Sequence, residues 1–480
     1  MYKIYCETNA KADYPSSDYN FSPSCSYPEY PFQDISKEEN AVYSMVRNGF
    51  YQLGLDREKY GTKDWNPLGD YIQTGDTVLL KPNWVMHENP EPLYHDLDCL
   101  VTHPSLIRAI VDYVYIALNG TGKVIVADAP MQECDLPSLL QTMEYNIIQT
   151  YFSKKMEIEF LDLRGVIIKE NKNKFKLTQI IKTAEHGISV DLAKHSAFND
   201  LDIERIQKLR TAKYSPEDMN KHHSTEKHEY ILNPIALNAD VIINLAKPKS
   251  HRKSGLTACC KNFIGINMDK AALPHCTYGS IEQNGDVYLR KNHLLTWSNF
   301  FKDLYNKHLQ EQNKKAVGYR ILMGLCRRVG IKLTKEKYWD GSWYRNDTMW
   351  RTISDITDAV YYADKNGKLQ RTTQRTIFNI CDMIISGEKE GPLSPTPKKL
   401  GTIMMSAGHA AGIDKFICKF VGFDNNSIKY IDYLCTKQGI YDENLEIIFD
   451  TGEKINYIDY QPSRENKLEA GFGWHGFIDL

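Results

Sequence analysis

The stretch from Ala239 to Ile266 constrains the fold more than any other part of the chain. It opens with the apolar run Val241 to Leu245, rich in β-branched residues, as a strand buried on both faces of a parallel sheet requires. Five cationic or titratable side chains follow within seven residues: Lys247, Lys249, His251, Arg252 and Lys253. Ser254-Gly255 and then Lys261-Asn262 come next, ahead of a second apolar run. A buried strand that empties into a basic, glycine-containing loop is the arrangement of ligand sites in open α/β sheets. The competing reading is a solvated turn, and Pro248 and Gly255, which restrict the loop, argue against it.

Three further runs repeat the pattern. Thr77 to Leu80 leads into Lys81 and Asn83, Lys123 to Ala127 ends at Asp128, and Thr376 to Ile380 ends at Cys381-Asp382 with Glu388 shortly after. Between the first two lies a helix. Thr102-His103-Pro104 supplies its start, Leu106, Ile107, Ile110, Val111, Val114 and Leu118 its apolar stripe, and Gly120 its end. A strand–helix–strand unit with a right-handed crossover makes its two strands parallel. If all four strands run the same way, their C-terminal ends share one edge. The expected fold class is therefore α/β, a mostly parallel sheet flanked by helices, with an inserted, partly helical region.

The chain divides into an irregular segment over 1–35 with one strand at Lys3 to Cys6, a core over 36–266 and 375–435, an insertion with helices over 267–374, and a tail over 436–480. Other expectations are a helix from Ser36 to Leu53 capped by Asp34 or Ser36, a hairpin at Asn284-Gly285, a helix near 293–312, a basic stretch over 313–336, and a turn at 388–392. His222 and His223 read as a solvated loop, and His228 as the better site candidate of the three.

The strand ends divide by charge. Lys81, Lys247, Lys249 and Lys261 suit a phosphate or carboxylate, with Asn83, His103 and Asn262 beside them as substrate-binding residues. His251 suits general acid–base work near neutral pH, with Lys261 as its catalytic companion. Asp128, Asp382 and Glu388 suit a hard divalent cation such as Mg²⁺, or the orientation of the lysines. The cofactor is otherwise unknown from sequence.

Composition narrows the classes. The formal net charge of −2 gives no global electrostatic case for nucleic acid or a membrane. There is no signal-peptide apolar region at the start and no run of about 18 apolar residues, so no membrane insertion is expected. The eleven cysteines are scattered without a CxxC pair, so no iron–sulfur cluster is expected and reduced thiols in a cytoplasm fit best. The expected partner is a small anionic ligand.

Several of these motifs together resemble a known family. They are Lys-Pro-Asn from 81, Thr-His-Pro from 102, Ala-Asp-Ala-Pro from 127, the Asp240 to His251 block, Gly-Leu-Thr from 255, Lys-Asn-Phe-Ile-Gly-Ile from 261 and Gly-Glu-Lys-Glu-Gly-Pro from 387. The family is domain of unknown function 362, and the resemblance spans about 75–435. Many members carry a cysteine-rich ferredoxin-like module that this chain lacks. The segment around Trp343, Asn346-Asp347 and Trp350 resembles a subgroup encoded near surface-polysaccharide genes. A more distant similarity is to the nickel-pincer lactate racemase family, in which a metal-binding His and a cofactor-bearing Lys stand ten residues apart, as His251 and Lys261 do here. Cys259-Cys260 replace that family's glycine and its neighbour, so the similarity implies a shared fold and site location, and not nickel, a pincer cofactor or racemisation. The expectation is an enzyme acting on an anionic small molecule, carboxylate or phosphate and sugar-linked, with isomerase- or lyase-like proton transfer, in surface-polysaccharide biosynthesis. The alternative is a non-catalytic ligand- or metal-binding accessory protein.

Overall fold

The structure, a computed structural model, describes residues 1–171, 173 and 176–480. Its main sheet is built from β1 (Tyr2–Thr8), β2 (Thr77–Lys81), β3 (Lys123–Asp128), β4 (Glu157–Asp162), β5 (Val241–Ala246), β6 (Thr376–Glu390), β7 (Ser394–Ser406), β8 (Leu445–Phe449) and β9 (Lys454–Asn456). They lie side by side in the order β9-β8-β1-β7-β6-β5-β2-β3-β4, and the expected basic loop after β5 is itself part of the sheet, an antiparallel hairpin of Lys249–His251 and Gly255–Thr257 joined to β6 at Gly387. The block β6-β5-β2-β3-β4 is parallel throughout, and β1 pairs parallel with β8. The hairpin β6-β7 and the β7-β1 pair are antiparallel, so the sheet is mixed, though mostly parallel. This is the expected α/β architecture.

Alternation along the strands builds two apolar layers, one on each face. Val78, Leu80, Val124, Val126, Val241, Ile243, Leu245, Phe378 and Ile380 face helices α1 (Ala41–Gln52), α2 (Pro104–Leu118) and α3 (Tyr145–Phe152). Leu79, Ile125, Ile242 and Ile377 face the opposite layer. The insertion region supplies α4 (His293–Gln310), α5 (Lys315–Thr334) and α6 (Met349–Tyr362), followed by α7 (Ala410–Phe420) and α8 (Lys429–Lys437). Of these, α6, α7 and α8 cover the second face. Because β5 is buried on both sides, its residues are apolar at every position except Asn244.

Several local expectations change. Helix α1 starts at Ala41, because Asn40 caps it by accepting from the Tyr43 amide at 3.0 Å, while Asp34 is engaged by Tyr30 and Arg108. Asp382 is not at a strand end. Pairing with β7 carries β6 on to Glu390, across an irregularity between Met383 and Ile385, so 388–390 is strand and not turn. Asn284 closes the short helical turn Ile281–Gln283 in the left-handed region (φ 56°) instead of making a hairpin. His223 and His228 are buried with their Nδ1 atoms 3.3 Å apart, and Phe198 and Tyr230 pack on them. At the C-terminus, Trp474 and Ile478 belong to the same apolar layer as α6 and α7. Ser250 donates to the Glu469 carbonyl at 2.6 Å, and the Trp474 indole donates to the Arg252 carbonyl at 2.9 Å.

Candidate functional site

The parallel register sets the geometry. Asn244 of β5 stands beside Lys81 of β2 and Asn379 of β6. Its amide donates to Asn379 Oδ1 (2.9 Å) and to the Cys259 carbonyl (3.1 Å), and its oxygen accepts from Asn262 (2.8 Å). Asn262 sits in the single helical turn Cys259–Asn262, held from below by Asp414, which accepts from the Cys259 and Cys260 amides at 2.7 and 2.9 Å. Asn262 in turn accepts from Asn83 (3.0 Å) and Lys81 (3.3 Å). The result is a closed polar network across three strands, in which each buried amide has partners.

Lys81 and Asp128 form a fully buried ion pair at 2.7 Å. Burial pushes the Asp128 carboxyl up and the Lys81 ammonium down, each opposed by the other's charge. Gly265 lies directly against this pair: a Cβ there would be 1.9 Å from Asp128 Oδ1 and 2.8 Å from Lys81 Nζ. Lys247 pairs with Asp382 at 3.2 Å, and Tyr14 donates to Asp382 at 2.5 Å and accepts from Lys247 at 2.6 Å. Asp382 shares its strand face with Phe378, Ile380 and Ile384, so this second cluster lies on the α2 side of the sheet. His103 belongs to it, capping α2, stacked on Tyr14 at 3.9 Å and donating its backbone N–H to Asp382. Lys249 donates to Asn83 (2.6 Å) and the Leu100 carbonyl (2.5 Å), and burial together with Lys247 holds its ammonium well below the usual range.

The three acids expected as metal ligands do not form one group. Asp128 is taken by Lys81, Asp382 by Lys247 and Tyr14, and Glu388 accepts from the Glu469 amide at 3.0 Å. Among the described residues no three His, Cys, Asp or Glu side chains are grouped to hold a metal ion.

Beyond the C-terminal ends of the strands is a cavity of about 220 Å³. Of the expected site residues, Asn83, Asp128, His251, Lys261 and Asn262 line it, whereas Lys81, Lys247, Lys249, His103, Asp382 and Glu388 stand outside its lining. The opposite wall was not foreseen. It comes from Arg210 and from Lys270, His275, Lys302 and Asp340 of the insertion region, placed there by the pairing of Cys276–Thr277 with Leu209–Arg210. Asn244, Asn379 and Tyr14 were also missed. The two asparagines do leave a signal, a polar residue in an otherwise apolar strand; Lys270 and His275 leave none in a polar segment.

Charge in the cavity is unbalanced. Its three carboxylates are already paired: Asp128 with Lys81, Glu133 with Lys213, and Asp340 with Lys302 and Lys253. Arg210 is paired with Asp303. Lys261, Lys270 and Arg252 have no carboxylate partner among the described residues, and Lys270 only donates to the Pro130 carbonyl at 3.2 Å. Burial pushes both lysines down to about 8, with Lys270 adding to the effect on Lys261.

The two histidines are fixed in opposite tautomers. His251 Nδ1 accepts from the amides of Lys253 and Ser254, both at 3.0 Å, so its proton is on Nε2. His275 Nδ1 lies 2.8 Å from the Leu273 carbonyl, which can only accept, so its proton is on Nδ1 and Nε2 carries the lone pair. Burial, with the neighbouring cations, lowers His251 well below its ordinary range and His275 to about 3, so both rings are neutral at pH 7. His251 therefore offers a hydrogen-bond donor and His275 a base.

No described helix is long and apolar enough to cross a membrane. No curated protein matches the chain. A solved structure of a Thermotoga maritima protein matches at 9% identity with a TM-score of 0.27, covering 78% of this chain and 58% of that one, so the chain spans less than two thirds of its length. The profile of the family described as Domain of unknown function (DUF362) matches residues 78–201 and 192–419, which include β2, β3, β5, β6, both lysine–carboxylate pairs and the cavity wall from His251 to Asp340. With the profile covering well over half of its length, the chain belongs to the DUF362 family.

Proposed function

We propose that the chain is an enzyme that binds a small anion in this cavity, a carboxylate or phosphate and in particular a sugar-linked one, and moves a proton on it. The observation that carries the reading is the Lys261 ammonium, which lines a partly open cavity and has no carboxylate partner among the described residues. A half-buried cation without a carboxylate partner loses part of its hydration in the free protein and regains a counter-charge when an anion enters. The volume of about 220 Å³ is below that of drug-sized pockets and suits a ligand of few heavy atoms. Lys261, helped by Lys270 and Arg252, holds the anion. The bound anion offsets the Lys253, Lys270 and Lys261 charges that help to hold His275 down and so raises its basicity. His275 Nε2 takes a proton from the carbon next to the carboxylate, and His251 Nε2–H donates to the oxygen on which negative charge develops. Within the general acid–base role expected for His251, its tautomer favours the donor part, and the base in this reading is a histidine from the insertion region. Such chemistry is isomerase- or lyase-like.

The test is exchange in D2O. Purified protein is incubated with hydroxy, keto and sugar acids, and deuterium at the carbon next to the carboxylate is followed by proton NMR. The expected result is exchange with at least one acid, slowed about 100-fold or more in His275→Asn. Binding without exchange of any acid would favour the accessory-protein reading, and neither binding nor exchange would remove the anion site itself.

A further inference from the structure

Helix α5 leaves its apolar side uncovered. Of its twenty residues only Ala316 and Gly330 are buried. Ile321, Leu325, Val329 and Leu333 recur every fourth position, and all four are exposed, Leu325 by 59% and Leu333 by 71%. Leu322 adds to the same side, and the neighbouring α4 exposes Trp297 and Phe300. A row so spaced forms a continuous stripe on one helix face. The charge pattern is one-sided. From Gln312 to Lys335 there are seven basic residues and no acidic one, in a chain whose formal net charge is −2. Arg328 and Lys332 follow Leu325 and Val329 by three positions and so fall in the row beside the stripe. Ile321 and Leu325 also line a groove of about 1540 Å³ between α5 and the core, and this groove shares Glu133 with the cationic cavity.

We propose that the α4–α5 hairpin docks the protein on the surface of a bilayer containing anionic lipid. The stripe enters the headgroup boundary, and Arg328, Lys332 and Lys335 lie against lipid phosphates. An exposed apolar row edged by basic residues, on a helix without acidic ones, complements an anionic interface more closely than an acid-bearing protein surface or a second copy of this equally basic helix. Aromatic residues on the adjoining helix suit the same boundary. Docking needs no spanning segment and is independent of the chemistry in the cavity.

Co-sedimentation with vesicles tests this, using phosphatidylcholine alone and a mixture with 30 mol % phosphatidylglycerol. The full chain is expected to pellet with the mixed vesicles at least tenfold more than with the neutral ones, and to be released by high salt. Arg328→Gln and Lys332→Gln are each expected to weaken the partition about fivefold. Leu325→Glu/Leu333→Glu is expected to abolish it with the melting temperature unchanged, since both side chains are exposed. Equal binding to both vesicle types, no binding to either, or binding that survives all these changes would overturn the proposal. So would a dimer in solution that Leu325→Glu/Leu333→Glu converts to monomer, because a second copy would then cover the stripe.

Discussion

At the scale of single residues, the site depends on contacts with no slack. Gly265 has room only for hydrogen beside the Lys81–Asp128 pair. Gly265→Ala is expected to cost about 1–3 kcal/mol by forcing that pair apart, read as a lower urea midpoint; an unchanged midpoint would mean that the pair has space to give. The histidine assignment is equally direct. Nitrogen NMR should find His251 protonated on Nε2 and His275 on Nδ1, with His275 not titrating between pH 5 and 8 and His251 titrating well below the ordinary imidazole range. The unfolded chain takes up these protons near pH 6.5, whereas folded His275 does so only near 3. The unfolded state then binds more protons, so this histidine makes stability fall as pH drops from about 6.5 toward 3. A rise in stability over that range, in a comparison with His275→Asn, would contradict the assignment.

At the scale of elements, legibility followed periodicity. β2, β3 and β5 could be read because short apolar runs end abruptly in polar residues, and α2 because a proline opens an unbroken apolar stripe. The full length of β6 could not, because it depends on pairing with β7. Lys261, Asn262 and His251 could be named as candidates because they flank a strand end. Lys270 and His275 could not, since a two-residue pairing with Leu209–Arg210 carries them to the cavity and no local pattern encodes it. The clasp at the C-terminus is another long-range feature. Trp474 is 4% exposed, packs beside Gly255 and bonds to the Arg252 carbonyl. Trp474→Ala is expected to cost about 3–5 kcal/mol, measured by denaturant unfolding, and to weaken anion binding by loosening the segment that carries His251. A loss below about 1 kcal/mol would show that the C-terminal residues only rest on the core.

At the scale of the whole molecule, the sheet brings lysines from the ends of two parallel strands, β2 and β5, to one edge, and all but a few are neutralised by carboxylates or held by neutral oxygens. The remaining positive charge is concentrated in one cavity of a nearly neutral protein. Such a charge should cost stability when nothing is bound, so Lys261→Met is expected to stabilise the ligand-free protein by about 1 kcal/mol while removing its binding function. The most direct test of the central claim is calorimetric titration with pyruvate and glucuronate, whose charge is constant between pH 7 and 9. Binding of at least one is expected at pH 7, about tenfold weaker at pH 9 as Lys261 and Lys270 lose protons near 8, and absent in Lys261→Met. Affinity that is the same at both pH values, or undiminished in the variant, would contradict the account.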